Sequence, residues 1–325
     1  MSNRRIQLLG LGIVISAIFL YLALRGMDWR ALGQTLLDIQ IGSLAFCGGM
    51  IALGIMLRGL RWSLIAGRSI QLVIPFVRAT NLGILGNQLL PARLGEVIRI
   101  VALKRILQAG LSESVGSALI DRVVDTVVLF ISAWLVSTLI ARAFLPQGWL
   151  LGLGAALALF GVGLLIARTH RFHAWVTVWS VRYLHRWSLR PDSFVCAFNA
   201  MLARLTRWRI GSSVVAVALL VWLADYLAVL AALWSIGLDL PPSAPLLLWV
   251  MLAAGSVIPS TPGYVGIYQL AAVLALATYD IPAHEAIAVS LVLQAVILLV
   301  SLVVAGGEVR FLWPATSRHS KDNDA

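Results

Sequence analysis

Apolar runs long enough to cross a bilayer recur from one end of this 325-residue chain to the other. An α-helix needs about 20 mainly apolar residues to span the hydrocarbon core, because each residue advances it by only about 1.5 Å. Six stretches have this length: Ile6–Leu24, Ile41–Leu57, Ala118–Ile140, Trp149–Ala167, Ser212–Ile236 and Ala286–Ala305. The sequence therefore predicts an all-α, polytopic membrane helix bundle, with residues 1–325 as a single domain.

Two further apolar regions, 71–103 and 244–279, are interrupted near the middle by proline, glycine and polar residues. Lipid cannot hydrogen bond the backbone groups that such breaks release, so these regions are expected to be buried in protein or to line a wet cavity. We predict that each forms a broken or re-entrant helical hairpin. Both breaks share the spacing Pro-x-x-x-Gly, at Pro91–Gly95 and Pro259–Gly263.

Basic residues are unevenly distributed among the loops, and this asymmetry predicts the orientation of the chain. Arg58, Arg61 and Arg68 follow the second predicted span, whereas the connections near Asp239 and Asp280–Glu285 carry acids and almost no bases. Because loops rich in Lys and Arg stay in the cytoplasm, both termini are expected inside, with one hairpin entering from each side. Hairpins that enter from opposite sides are typical of inverted-repeat transporters. The alternative is that the two Pro-x-x-x-Gly spacings match by chance in a Gly- and Leu-rich chain.

Tryptophans alternate with arginines across 168–210, a pattern typical of helices that lie on lipid headgroups. We expect this segment to be cytoplasmic and interfacial, a similar surface helix over Trp29 to Ile39, and a short polar cytoplasmic tail over 314–325. The same basic loops account for the net charge of +11. Membrane lipids are therefore the expected partners, and nucleic acid is not.

Charged residues at membrane depth are the first candidates for function, because each costs roughly 2.5–3.5 kcal/mol unless it is paired or wetted. Arg93, Glu96 and Arg99 follow Pro91 at successive i, i+3 positions, and Asn87 precedes the break, where its amide could bond freed backbone groups. Two guanidiniums beside a helix N-terminus would suit an anion such as phosphate. The alternative is that Glu96 neutralises its neighbours in a buried ion network.

A second charged cluster, Asp121, Arg122 and Asp125, lies at the start of the third predicted span. The two acids share a helix face at i, i+4 and would repel each other without a counter-charge. Arg93 or Arg99 is the natural partner. A structural clamp between this helix and the first hairpin and a direct contact with substrate are both consistent with the pattern.

Two weaker candidates follow towards the C-terminus. Asp225 is the single acid inside the predicted span Ser212–Ile236. It is a candidate proton or cation site, and the alternative is a buried acid that only forms hydrogen bonds. The second Pro-Gly break, with Pro262, Gly263 and Gly266, could coordinate a headgroup through its backbone or act as a gate; a simple tight turn is the alternative.

Signatures of catalysis are weak. The histidines form no His-Glu-x-x-His pattern, and no Gly-x-Ser-x-Gly, Walker or dinucleotide-binding motif is present. Cys47 and Cys196 lack a paired spacing. We therefore predict no catalytic residue, metal ion or cofactor. An enzyme of lipid phosphate transfer, in which Asp121 and Asp125 bind a divalent ion, stays as an alternative.

Taken together, these motifs resemble the lysylphosphatidylglycerol synthase transmembrane region, a flippase-like membrane family. The resemblance spans nearly the whole chain and is carried by Arg58-Gly-Leu-Arg61-Trp62, Asn87 to Arg99, Asp121-Arg122 to Asp125, and Pro259 to Gly266. Asp121 departs from the Glu expected in Glu-Arg-x-x-Asp. In two-domain members the membrane region is associated with flipping an aminoacylated phospholipid, and a soluble domain, which is not expected here, transfers the amino acid.

The resemblance implies lipid translocation in a bacterial inner membrane, with an anionic or modified phospholipid, a hopanoid or a polyprenyl-linked lipid as substrate. Separately encoded lipid-synthesis enzymes are further candidate partners. The rival readings are an enzyme of lipid phosphate or glycosyl transfer and a non-transporting scaffold. The candidate substrate-binding residues are Asn87, Pro91, Arg93, Gly95, Glu96, Arg99, Asp121, Arg122, Asp125, Asp225, Pro259, Pro262, Gly263 and Gly266.

Overall fold

The computed structural model describes residues 18–25, 27–91, 93–140, 191–257 and 261–306. Within these ranges the regular secondary structure is entirely helical, so the predicted all-α class is confirmed for them. The α-helices are α1 (Trp29–Leu37), α2 (Ile41–Ala66), α3 (Val73–Leu89), α4 (Leu94–Leu107), α5 (Leu111–Ile140), α6 (Pro191–Leu205), α7 (Trp208–Ser235), α8 (Ser243–Gly255), α9 (Ile267–Leu276) and α10 (Ala283–Ala305). Short 3-10 helices cover Ile70–Leu72, Pro262–Tyr264 and Ala277–Tyr279.

Three of these helices, α2, α7 and α10, are long and apolar enough to cross a membrane. They contain almost all of the three spans predicted between 41 and 57, 212 and 236, and 286 and 305. The span predicted over Ala118–Ile140 lies inside the 30-residue helix α5. Of Ile6–Leu24 only residues 18–24 are described, and they are helical; Trp149–Ala167 lies outside the described residues.

Helix α2 continues beyond the predicted end of its span at Leu57 and stops only at Gly67, whose φ of 69° closes the last turn. Arg58 and Arg61 are therefore helical and turned towards the bundle, so the expectation that they follow the span in a loop is wrong. The reason is that both guanidiniums form ion pairs with carboxylates inside the protein, Arg58 with Asp225 and Arg61 with Asp121. A charge that is paired in this way does not force the helix to end. The side of the membrane on which they lie stays a prediction.

Both interrupted regions form pairs of antiparallel helices. In the first hairpin, α3 and α4, an added Cβ at Gly83 would lie 2.8 Å from Cβ of Arg99, and one at Gly86 would lie 2.9 Å from Cα of Gly95. Gly83 thus lies opposite Arg99 and Gly86 opposite Gly95, so residue numbers rise along α3 as they fall along α4. The two helices are therefore antiparallel. The absence of side chains at the crossing lets the two backbones approach closely.

The second hairpin, α8 and α9, follows the same plan. The Tyr279 hydroxyl donates to Oγ of Ser243 at 2.9 Å near the open end, and Gly255 lies against Ile267 near the tip. Residues 258–260 of this tip, including Pro259, lie outside the described residues. Of the two Pro-x-x-x-Gly spacings, only the first has both its proline and its glycine among the described residues, and the inverted repeat stays a prediction.

The main core packs α7, α8, α9 and α10 together around side chains such as Leu233, Leu248 and Leu276. On the outer surfaces of α7 and α10 large apolar side chains are exposed, among them Leu219, Leu299 and Val303. Such faces suit contact with lipid tails. A helix is present where one was predicted over Trp29 to Ile39: α1 begins where the carboxylate of Asp28 accepts from two backbone N–H groups. Its place on the membrane surface stays a prediction.

Candidate functional site

A cavity of about 380 Å³ lies between helices α2, α3, α4, α5, α7 and α8. The aromatic rings of Tyr264 and Tyr268, at and beside the second hairpin tip, form part of the cavity wall. The predicted site residues that line it are Asn87, Arg93, Glu96, Arg99, Arg122, Asp125 and Asp225. Side chains that are separated by up to 138 positions in sequence, from Asn87 to Asp225, therefore face one space.

Asp121 lies behind this wall and is 1% exposed. Its carboxylate accepts from Nε of Arg61 at 2.9 Å and from Nη2 of Arg99 at 3.0 Å, and Nη2 of Arg122 lies 3.3 Å away. Three guanidiniums thus surround one buried acid and join α2, α4 and α5. Removing such an acid would leave buried positive charges without compensation.

The network extends through two more carboxylates. Asp125 pairs with Arg61 at 2.5 Å and with Arg122 at 3.2 Å. Glu96 pairs with Arg99 at 3.3 Å and with Arg122 at 3.6 Å. Three arginines and three acids therefore balance, and Asp121 and Asp125 avoid repulsion because each contacts more than one guanidinium.

Arg99 is committed to this network and is 2% exposed. Its guanidinium also lies 4.5 Å from the ring centroid of Trp62, a cation–π contact. The Trp62 indole donates to Oγ of Ser117 at 3.0 Å and meets Phe76 edge-on. Although Arg99 lines the cavity, these contacts hold its guanidinium against the protein.

The N-terminus of α4 is also occupied. The Gly95 N–H donates to Oδ1 of Asn87 at 3.0 Å, which is the backbone bond expected for this asparagine. The neighbouring N–H groups of Leu94 and Glu96 donate to the carbonyls of Pro91 and Arg93. A side chain at Gly95 would overlap the carbonyl oxygen of Gly83 on α3, so this contact needs glycine.

Arg93 differs from the other arginines of the wall. It precedes α4 in a left-handed conformation, with φ of 56°, at the tip of the first hairpin. Its Nη2 donates to Oγ of Ser256 at 3.4 Å. Its buried Nε has no hydrogen-bond partner, which is also true of Nε in Arg99 and Arg122. Within the described part of the chain no carboxylate lies within 4.0 Å of Arg93. Of the two arginines predicted as partners for the acids of the second charged cluster, Arg99 pairs with Asp121 at 3.0 Å and Arg93 does not.

The two hairpin tips meet at Arg93 and at one further contact. Gly263, with φ of 66°, packs so closely on Gln88 that an added Cβ would lie 3.2 Å from its Oε1. The Gly263 carbonyl accepts from Nε2 of Gln294 on α10 at 2.6 Å. Gln294 in turn accepts from Gln269, whose Oε1 accepts from the Gly266 N–H. Amide side chains thus fix the second tip against α10.

Asp225 lies in another part of the cavity wall and is not alone. Arg58 donates to its Oδ2 at 2.5 Å, and the Trp249 indole Nε1 lies 3.3 Å from the same oxygen. Trp222 packs edge-on against Trp249, with ring centroids 6.4 Å apart. The sequence offered no partner because Arg58 lies 167 positions away in the chain.

Sequence reasoning missed the roles of Arg58, Arg61, Gln88 and Gln294. The arginines carried a usable signal, because their i, i+3 spacing continues the helical period of α2. The glutamines carried none, since a single amide in an apolar run does not indicate its partner.

A family model described as the lysylphosphatidylglycerol synthase TM region matches residues 9–305. The matched range contains α1 to α10 and every residue of the candidate site. Comparison with curated proteins gives no match. Since the family model covers most of the chain, this membrane protein is linked to lipid metabolism or transport and belongs to the lysylphosphatidylglycerol synthase transmembrane region family.

Proposed function

We propose that this protein translocates a lipid with an anionic headgroup across the bacterial inner membrane. The observation that carries the proposal is Arg93, a guanidinium without a carboxylate partner among the described residues, placed on the cavity wall where the two hairpin tips meet. A phosphate would give this arginine the anion it lacks, because guanidinium binds phosphate oxygens in pairs. A phospholipid and a polyprenyl phosphate carry such a phosphate, and a hopanoid derivative satisfies the requirement only when its headgroup is anionic.

The proposed path runs through the cavity between the hairpins, which in this scheme enter the membrane from opposite sides. Both chain termini and the basic segment 168–210 then face the cytoplasm, and the whole chain works as one membrane domain. Tip-to-tip contact through Gln88 and Gly263 supports this scheme, because opposed hairpins would meet near the midplane.

A lipid-modifying enzyme is less well supported by the same site. A divalent ion at Asp121 and Asp125 would have to displace guanidiniums that already contact both carboxylates. Arg99 and Glu96 take part in that network, so their proposed role is to hold the first hairpin in place rather than to bind the headgroup directly.

The test is reconstitution into liposomes that contain NBD-labelled lipids, with dithionite bleaching as the measure of translocation. We expect the intact protein to expose inner-leaflet lipid faster than protein-free vesicles do. Arg93→Gln should slow this by about tenfold or more, since a charge-assisted hydrogen bond contributes roughly 1.5–3 kcal/mol. Arg105→Gln, at an exposed position of α4, the helix that Arg93 precedes, is the matched control. Failure to accelerate any phospholipid or polyprenyl phosphate would refute the proposal.

A further inference from the structure

Building on the proposed function, we infer that the cavity selects headgroups that carry a single negative charge, and that Arg93 is the residue that sets this selectivity. This selectivity follows from how the charges of the wall are partnered. It concerns which lipids the proposed transporter accepts, so it can fail while translocation itself stands.

The charges of the cavity balance except for one. Counted at formal charge among the described residues, five arginines line the space: Arg58, Arg61, Arg93, Arg99 and Arg122. Three acids line it and Asp121 lies directly behind it, which makes four negative charges. Every one of these acids has an arginine within 4.0 Å, and every one of these arginines except Arg93 has an acid. The excess is a single positive charge at Arg93.

Arg93 is half-buried, and its Nε is buried without a hydrogen-bond partner, so water compensates this excess charge only in part. A charge in a site of low dielectric constant is stable only when a counter-charge lies close to it. A headgroup with one negative charge compensates Arg93 and leaves the site neutral. A headgroup without net charge has to bring its own positive group into the same space, close to the guanidinium.

Among the described residues that line the cavity, a second negative charge on the headgroup would have no cation without an acidic partner. The remaining guanidiniums are held by close ion pairs, such as Arg58 on Asp225 at 2.5 Å and Arg61 on Asp125 at 2.5 Å. Freeing Arg58 would leave Asp225 unpaired. Freeing an arginine of the network would leave its three acids with two guanidiniums. Much of the nearby wall is uncharged and aromatic, with Tyr264 stacked on Tyr268 at 5.1 Å between ring centroids.

The experiment compares three NBD-labelled lipids with the same acyl chains in the same reconstituted vesicles. Phosphatidylglycerol carries one negative charge, phosphatidylcholine carries no net charge, and phosphatidylinositol 4-phosphate carries more than one. We expect phosphatidylglycerol to cross at least about tenfold faster than either of the others, which corresponds to one charge-assisted bond. Arg105→Gln should keep this order.

Two variants alter the charge balance in opposite directions. Arg93→Gln removes the excess charge and should lower the rate for phosphatidylglycerol to that for phosphatidylcholine. Asp225→Asn frees Arg58 and should raise the rate for phosphatidylinositol 4-phosphate relative to phosphatidylglycerol several-fold. If Arg93→Gln does not fold, Arg93→Lys keeps the charge and should keep the preference, and Asp225→Asn still tests the inference.

The outcomes separate this inference from the function on which it depends. Equal rates for all three lipids, or an unchanged ratio in Asp225→Asn, would overturn charge selection while translocation stands. Absence of transport for every lipid offered would refute the proposed function instead.

Discussion

Gly95 is where the first hairpin is most sensitive to a single added methyl group. An alanine Cβ there would overlap the carbonyl oxygen of Gly83 and lie 2.5 Å from Oδ1 and 2.6 Å from Cγ of Asn87. The backbone of α3 cannot give way without opening the hairpin, and Asn87 cannot move without losing its bond to the Gly95 N–H. Gly95→Ala should therefore destabilise the protein.

The magnitude follows from three contributions. Overpacking a tight contact costs about 1–3 kcal/mol, and loss of a capping bond costs about 1 kcal/mol. Replacement of glycine by alanine in a helix returns about 0.5–1 kcal/mol. The net loss is about 2 kcal/mol, which lowers the melting temperature by roughly 4 °C if each kcal/mol corresponds to about 2 °C.

The assay is thermal unfolding of the detergent-solubilised protein, followed by the fluorescence of its 12 tryptophans. Gly49→Ala is the matched control, because Gly49 is an exposed helical glycine whose added Cβ meets nothing within 4 Å. The control should melt at the wild-type temperature or slightly above it. If Gly95→Ala melts together with Gly49→Ala, the close approach of α3 and α4 at this position is not what holds the hairpin.

Three further changes can be measured in the same melting experiment. Asp121→Asn leaves two buried arginines without a shared counter-charge and should cost about 3–5 kcal/mol, the largest effect of the set; wild-type melting would contradict the network. Gln294→Ala removes the donor to the Gly263 carbonyl and should cost about 1 kcal/mol, and Gln294→Glu, which keeps the shape without that donor, should not rescue it. Asp28→Ala removes the N-cap of α1 and should cost about 1 kcal/mol, with Asp38→Ala at its other end as the control.

Much of the fold could be predicted from the sequence because membrane spans are governed by length and hydropathy. The breaks at Pro91 and near Pro262 also indicated two hairpins, since interrupted backbone has to be buried in protein. The helix ends were harder. The rule that arginines flank a span ended α2 at Leu57, but an arginine inside the bundle is equally stable once it is paired, and sequence alone does not reveal the pair.

The roles within the candidate site could be predicted only in part. Arg93 and Arg99 are the same residue type at equal distances from Glu96, and nothing local distinguishes them. They differ because the crossing at Gly95 turns Arg99 into the core against Trp62, whereas Arg93 stays at the tip. That distinction arises from the packing of α3 on α4, which depends on three-dimensional contact.

The contacts between the two hairpin tips have a consequence for motion. Among the described residues, Gly263 packs on Gln88, and Ser256 accepts a hydrogen bond from Arg93, so no ion pair joins the tips. Moving the second tip aside would break neutral or singly charged hydrogen bonds, each contributing only about 0.5–3 kcal/mol. The ion network on α2, α4 and α5 would keep all its pairs during this movement. The molecule thus combines a base that is held by ion pairs with a tip that is held by weaker hydrogen bonds, and separating the tip would cost less free energy than separating the base.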